Sequence, residues 1–315
     1  MKLTGVILTY NCERLVQKAI DKIPKNILHE IICIDDASID NTKEIVEKNN
    51  ILFFTHEHKG YGGNLFEGLK IAFNRGATHV IEIHGDGQYD LNRIIDVKEM
   101  LEKDNTIDLI LGNRFYEYKK PLENKMGLVK FFGNIGVTFI ASVGLGLKSR
   151  DLFPGFRVYS KKSLLNINIY SEFSYCMETL IQLGFLNMKI LGVDISVNKK
   201  TRESRLFKNI FQYVFMQTKT IVNILLLYRS HLIFSFLSIF SMLLSFSLFF
   251  RYFYLVNYFN APSDSFWPSI IVASILFLIS IVLYFFGIIA SLTSANRVLL
   301  EEVLYRNRER AHKES

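Results

Sequence analysis

The chain has 315 residues, too many for one compact core and too few for three ordinary domains. Hydrophobic residues make up 50% and charged residues 21%, which excludes a disordered or low-complexity chain. Mean hydropathy is +0.20 and the apolar residues crowd the region beyond residue 205, which excludes a purely soluble protein and a small disulfide scaffold. The net charge of +7 reads as attraction to anionic lipid, not to nucleic acid, since no RNA- or DNA-binding module is visible. Cys12, Cys33 and Cys176 have neither zinc nor disulfide spacing and are expected as reduced thiols of a cytosolic domain. The start leads into a strand-length apolar run with no signal-peptide pattern.

In chain order, the pattern predicts strands at 3–9, 30–34, 51–55, 79–83 and 107–111. Helices are expected between them at 13–22, 41–48, 62–74 and 91–103. Short strands joined by helices imply a mostly parallel α/β sheet covered on both faces, and in such sheets ligands bind beyond the carboxyl ends of the strands. Those ends carry Tyr10 and Asn11, Asp35 and Asp36, His56 to Lys59, and His84 to Asp90. The glycine-broken apolar stretch 126–147 is expected as a helix lining one side of the site. Residues 206–230 have apolar positions at helical spacing with interspersed Lys and Gln. They suit an amphipathic helix on a membrane surface, or one packed on the soluble part. Residues 231–256 and 269–292 are apolar runs long enough to cross a hydrocarbon core of about 30 Å. Their short link holds Asp264 and neither Lys nor Arg, whereas the flanks are basic, so both termini are expected in the cytoplasm. Residues 297–315 form a basic tail. The expected division is a catalytic domain over 1–205, an interfacial helix over 206–230, two spans within 231–296, and the tail.

Three segments carry candidate chemistry. Asp35 and Asp36 end a buried strand, where a carboxylate can accept hydrogen bonds from a ribose or base; Ser38 or Asp40 can cap the following helix. In His84-Gly85-Asp86-Gly87-Gln88, glycines let the backbone turn sharply around Asp86. A carboxylate with an amide oxygen suits a hard divalent cation that also holds a diphosphate; an ordinary turn with Asp90 as the next helix cap is the plain alternative. His58-Lys59-Gly60-Tyr61-Gly62-Gly63-Asn64 opens a helix with three glycines and reads as a phosphate cradle or a flexible turn.

The order of these motifs resembles the family-two nucleotide-sugar glycosyltransferases of GT-A fold. With two apolar spans at the C-terminal end, the chain most resembles the dolichyl- and polyprenyl-phosphate sugar synthases. The resemblance implies that Tyr10, Asn11, Glu13 and Asp36 hold the base and ribose of the donor, with Lys59 and Gly60 beside them. It implies that Asp86 is the second acid of an Asp-x-Asp metal motif, with Gln88 close by; the first acid is replaced by His84, either a ligand that suits Mn²⁺ better than Mg²⁺ or a spectator. Arg114, in Gly112-Asn113-Arg114, resembles an arginine that meets the acceptor phosphate. Arg157, in Asp151-Leu152-Phe153-Pro154-Gly155-Phe156-Arg157, is a second acceptor-side cation or a structural ion-pair partner, with Asp151 orienting the arginines. Glu178 matches an acid on a site-facing helix, its alternative being a surface or capping charge. Lys199, Ser204 and Arg205 are expected on a loop closing over the diphosphate, or in a juxtamembrane basic patch.

The expected activity is inverting, metal-dependent transfer of a hexose from a UDP- or GDP-sugar to polyprenyl phosphate at the cytoplasmic membrane face. Mg²⁺ or Mn²⁺ is the expected cofactor, and relatives of this type assemble as dimers or tetramers. A lipid phosphate is already largely dianionic near neutral pH and needs no strong base. The alternatives are transfer to a hydroxyl acceptor, with Glu178 or Asp151 as base, and a non-catalytic sugar-nucleotide-binding scaffold, suggested by His84.

Overall fold

The structure, a computed structural model, describes residues 1–24, 26–113, 154–168, 175–196, 230–258, 262 and 266–314, with isolated positions 219, 222, 223 and 226. The chain forms two units, residues 1–220 with 305–315, and residues 221–304.

In the first unit, β1 (Leu3–Thr9), β2 (Glu30–Asp35), β3 (Leu52–Thr55), β4 (His79–His84), β5 (Leu109–Asn113), β6 (Arg157–Ser160) and β7 (Ile190–Asp194) form one sheet. Its order is β3-β2-β1-β4-β6-β5-β7. All pairings are parallel except those of β6, which runs antiparallel to both β4 and β5. Every residue of β1 is buried, which explains a run without polar alternation: helices cover both faces. The helices are α1 (Val16–Asp21), α2 (Thr42–Lys48), α3 (Gly60–Asn74), α4 (Ile94–Lys103), α5 (Lys161–Asn166) and α6 (Tyr175–Phe185). From β1 the chain builds out to β2 and β3 on one side and then crosses to β4 on the other, where β6 is inserted between β4 and β5, so the switch point lies between β1 and β4. A ligand crevice opens at the carboxyl ends there.

The first strands and helices lie where the sequence places them, with shifts that have local causes. α1 begins at Val16 rather than near Glu13, because Leu15 N and Val16 N first close a turn on Cys12 O. The N-cap of α2 is Asn41, without a side-chain cap; Asp40, one residue earlier, accepts Thr42 N–H through Oδ1 at 3.1 Å, whereas Ser38 is engaged by Asp35. Strand β5 starts two residues late, at Leu109, after Asp108 has bonded Lys189 N–H through its carboxylate at 2.9 Å. The glycines after Lys59 lie within α3 itself, whose close approach to the sheet depends on Gly68. A Cβ there would stand 2.7 Å from Val6 and 2.9 Å from Ile34. Strands β6 and β7 were not expected. β6 is only four residues long and opens on an arginine, so no apolar alternation announces it. The three cysteines are free thiols, and burial pushes the Cys33 thiol up to about 12.

In the second unit, α7 (Ser230–Tyr258) and most of α8 (Trp267–Glu314) are long and apolar enough to cross a membrane. They pack through serines. Ser238, Ser241 and Ser245 donate to the carbonyls of Ser280, Leu276 and Ala273 at 2.8, 2.9 and 2.7 Å. Small residues permit close backbone approach, and their hydroxyls find acceptors where water is absent. The basic tail is a continuation of α8, not a separate segment. Past the apolar run its residues remain good helix formers, and Arg297 pairs with Glu301 one turn on at 2.8 Å. The interfacial region 206–218 and the stretch 126–147 lie outside the described residues.

Candidate active site

Two acidic loops are fixed to the carboxyl end of β1 by its last carbonyls. Asp36 N–H donates to Thr9 O at 3.1 Å, and Gly85 N–H donates to Leu8 O at 3.1 Å. Gly85 must be small: a Cβ would lie 3.0 Å from both Leu8 O and Thr9 Cγ2. Asp36 and Asp86 thereby flank the switch point.

On the β2 side, Asp35 is structural. It accepts Thr9 Oγ1 at 2.8 Å, Ser38 N at 2.7 Å and Ser38 Oγ at 2.5 Å. Asp36 is 3% exposed and accepts Lys59 N–H at 2.7 Å, with His58 Nδ1 at 2.8 Å and His56 Nδ1 at 3.7 Å. Tyr10 is 40% exposed, and its ring lies 4.9 Å from that of His58. Asn11 takes a left-handed conformation (φ 49°); its N–H donates to Ser38 Oγ, and its Oδ1 accepts Ile39 N–H. Glu13 accepts Asn41 N–H at 3.3 Å. His58 thus links Asp36 to the exposed Tyr10 ring, while Asn11 and Glu13 tie the loop after β1 to residues 38–41; an exposed aromatic face beside a buried acid suits a planar base and a ribose. Lys59 contributes its backbone here, while its ammonium pairs with Glu67 at 3.1 Å. Gly60 (φ 72°) makes the turn into α3.

On the β4 side the backbone turns at once, so His84, Asp86 and Gln88 do not lie along one extended segment. The strand ends at His84, Gly87 N–H closes a turn on His84 O, and Gly87 has φ 64°. Asp86 Oδ1 accepts Gln88 N–H at 3.0 Å. Asp90 caps the next turn through Asn92 N–H at 3.1 Å, as expected. Among the described residues no three His, Cys, Asp or Glu side chains gather as a metal site. One partly buried carboxylate in a glycine turn nevertheless fits a hard cation that draws its other oxygens from water and a diphosphate.

Beneath this loop lies a cluster that motif reading missed. Glu82, 1% exposed in the middle of β4, accepts hydrogen bonds from Tyr61 OH (3.0 Å), Tyr175 OH (2.6 Å), His84 Nε2 (3.1 Å) and Tyr159 OH (3.3 Å). Burial and the nearby Glu82 charge push all three tyrosines well above the usual phenol range, so they remain hydroxyl donors. Burial disfavours the His84 imidazolium. The Glu82 hydrogen bond and charge, the Asp86 charge and the Gly155 carbonyl together outweigh that penalty and hold its pKa above the ordinary value. The available signal was an acid inside the apolar strand His79-Val80-Ile81-Glu82-Ile83-His84; a charge there must find partners.

Arg157 is fully buried. Its guanidinium donates to Pro154 O at 2.9 Å and Thr179 Oγ1 at 2.8 Å, and lies 5.9 Å from the Tyr175 ring. Those contacts hold the guanidinium inside the domain. Glu178 is 4% exposed on α6, so it is not a surface charge. Arg114, Asp151, Lys199, Ser204 and Arg205 lie outside the described residues.

A mostly parallel sheet with an acidic strand end beside an exposed tyrosine and a glycine-flanked aspartate at its switch point is consistent with a glycosyltransferase of GT-A type. The chain belongs to glycosyl transferase family 2, whose profile matches residues 5–167. A UDP-N-acetylglucosamine–dolichyl-phosphate N-acetylglucosaminyltransferase of Methanococcus voltae is 26% identical over 244 residues, spanning 67% of this chain and 94% of that protein. An uncharacterized glycosyltransferase of Mycoplasma genitalium is 46% identical over 52 residues, 15% of this chain and 18% of that protein. Among solved structures, glucosyl-3-phosphoglycerate synthase of Mycobacterium tuberculosis, crystallised with Mn²⁺, UDP and glucosyl-3-phosphoglycerate, shares the fold. Its TM-score is 0.53 at 15% identity, covering 71% of this chain and 78% of that one.

Proposed function

We propose that this glycosyltransferase moves one hexose, with inversion, from a nucleotide-sugar to the phosphate of a polyprenyl phosphate at the cytoplasmic face of a membrane. The observation that supports the reading is the pair of acidic loops held by adjacent carbonyls of β1; in this proposal Asp36 serves the nucleoside and Asp86 the diphosphate. The Methanococcus relative, named for a UDP-sugar donor and a dolichyl-phosphate acceptor, makes UDP the favoured donor. Two helices long and apolar enough to cross a membrane support a lipid acceptor.

Tyr10, Asn11, Glu13 and Asp36 bind and orient base and ribose. Asp86, with Gln88, holds the divalent cation that the Mn²⁺-bound structural neighbour suggests; when bound, the cation neutralises charge on the departing diphosphate. Lys199, Ser204 and Arg205 close over that diphosphate and add positive charge. The acceptor phosphate attacks without a general base. Its approach requires cations, and Arg114, oriented by Asp151, supplies them. The spans are oriented with both termini cytoplasmic by the basic flanks.

The test is an assay of the purified full-length protein with polyprenyl phosphate and a panel of UDP- and GDP-sugars, with Mg²⁺ or Mn²⁺. A chelator-sensitive lipid-phosphate-sugar product is expected, and Asp86→Ala is expected to lower kcat/KM by about 10²–10³. Product formed only on hydroxyl acceptors would replace the proposal with glycan or glycolipid extension.

A further inference from the structure

The position where the family pattern has a first metal acid holds a histidine whose contacts run inward. His84 Nε2 lies 3.1 Å from Glu82 Oε1 and 2.9 Å from Gly155 O. Both neighbours are acceptors, so Nε2 carries the proton and is spent on the protein, and only Nδ1 is left with a lone pair that a metal could use. The ring lies between Tyr61 and Tyr89, with centroids 5.1 Å from each. Its edge fills the space a side chain at position 155 would need: a Cβ on Gly155 would stand 2.3 Å from Nε2 and 2.4 Å from Cε1.

Gly155 is held at both its polar groups. Its carbonyl takes the His84 proton, and its N–H donates to Tyr89 OH at 2.8 Å. The adjoining backbone is fixed in turn: Phe156 O accepts Gly112 N–H at 2.9 Å, at the end of the strand that leads to Arg114. His84 and Tyr89 bracket Asp86 and Gln88 in sequence. The loop proposed to face the donor diphosphate and the turn at 154–156, beside the acceptor-side strand end, are therefore joined by two hydrogen bonds onto one glycine.

Resting on the donor and acceptor sides assigned above, we propose that His84 is a positioning residue: with Tyr89 it clamps the 154–156 turn to the Asp86 loop, leaving the metal to Asp86 and the diphosphate. The exchange of an acid for an imidazole then changes what the residue does. A carboxylate at 84 would face the buried Glu82 and could not donate to Gly155 O, whereas an imidazole N–H serves both.

The experiment compares the wild-type full chain in detergent with His84→Leu, His84→Gln, His84→Asp and Tyr89→Phe. Mn²⁺ binding in the presence of UDP is followed by electron paramagnetic resonance, steady-state KM for polyprenyl phosphate and donor by transfer assay, and amide exchange at 154–156 by mass spectrometry. The clamp requires His84→Leu to leave Mn²⁺ affinity within about twofold, while acceptor KM rises about tenfold, the scale of one lost hydrogen bond, and exchange at Gly155 quickens. His84→Gln, whose amide can donate to Gly155 O, should recover much of the loss. Tyr89→Phe should reproduce the acceptor defect. His84→Asp should be the least stable variant. Mn²⁺ affinity weakened tenfold in His84→Leu with exchange at Gly155 unchanged, or His84→Asp as stable as wild type with tighter Mg²⁺ binding, would make His84 a ligand and overturn the clamp. If no lipid phosphate is glycosylated by the wild type, the proposed function fails, and the Mn²⁺ and exchange measurements still decide the clamp by the same outcomes.

Discussion

Replacing Glu82 by glutamine tests the buried cluster through its stability. Glu82 Oε1 receives Tyr61, Tyr175 and His84, and Oε2 receives Tyr159. A glutamine of the same shape keeps one oxygen for the first three donors, and its amide can donate to Tyr159, whose hydroxyl rotates to accept. The substitution thus removes charge without creating a cavity. Hydrogen bonds to a charged group contribute about 1.5–3 kcal/mol and neutral ones about 0.5–1.5, so three weakened bonds predict a loss of about 2–3 kcal/mol after allowance for coupling. In a domain of this size that lowers Tm by roughly 5–10 °C. Differential scanning fluorimetry of the detergent-solubilised protein reads it directly. Tyr175→Phe supplies the control: its 2.6 Å bond should cost about 1–2 kcal/mol in the wild type and less in the Glu82→Gln background. A Glu82→Gln protein melting within about 1 °C of wild type would refute the idea that this carboxylate organises the tyrosines and His84.

Two further outcomes follow from the packing and surface charge. Gly68→Ala places a methyl 2.7 Å from Val6 Cγ1, so α3 must move off the sheet, at an expected cost of about 1–3 kcal/mol in urea or thermal melts. Arg75 forks onto Glu30 at 3.0 Å, and its hydrogen bond holds the Glu30 carboxyl below its ordinary value of 4.5. A depressed carboxyl contributes stability above its unfolded pKa and loses it as pH falls through the folded value. Arg75→Ala should therefore cost about 0.5–1 kcal/mol at pH 7, a modest figure because the pair is partly exposed. The gap to wild type should narrow as pH falls below the ordinary value of 4.5. A gap that persists at pH 3, or widens there, would assign the cost to lost packing.

Legibility in the sequence followed the kind of signal each residue carries. The parallel half of the sheet, its helices and the two apolar spans were readable because periodicity is a local property. Asp36 and Asp86 stood out because acids next to glycine or at strand ends are conspicuous in an apolar context. Glu82 escaped attention although it sits in the same strand as His84, since no motif contains it. Its partners Tyr61, Tyr159 and Tyr175 come from α3, β6 and α6 and converge only after folding. Arg157 read as a functional cation from its neighbours Gly155 and Phe156. Its complete burial against Pro154 O and Thr179 depends on an antiparallel strand that four residues cannot announce.

The amino-acid order alone fixed the α/β alternation, the apolar helices and the carboxyl-end location of the acids, because strand and helix periods and turn residues act over a few positions. Tertiary structure alone decided that His84 faces inward to Glu82 and Gly155, and that Lys59 lends Asp36 its backbone rather than its charge. The direction in which a side chain spends its hydrogen bonds depends on groups up to about ninety positions away, as between Glu82 and Tyr175, and only the closed fold brings them within 3 Å.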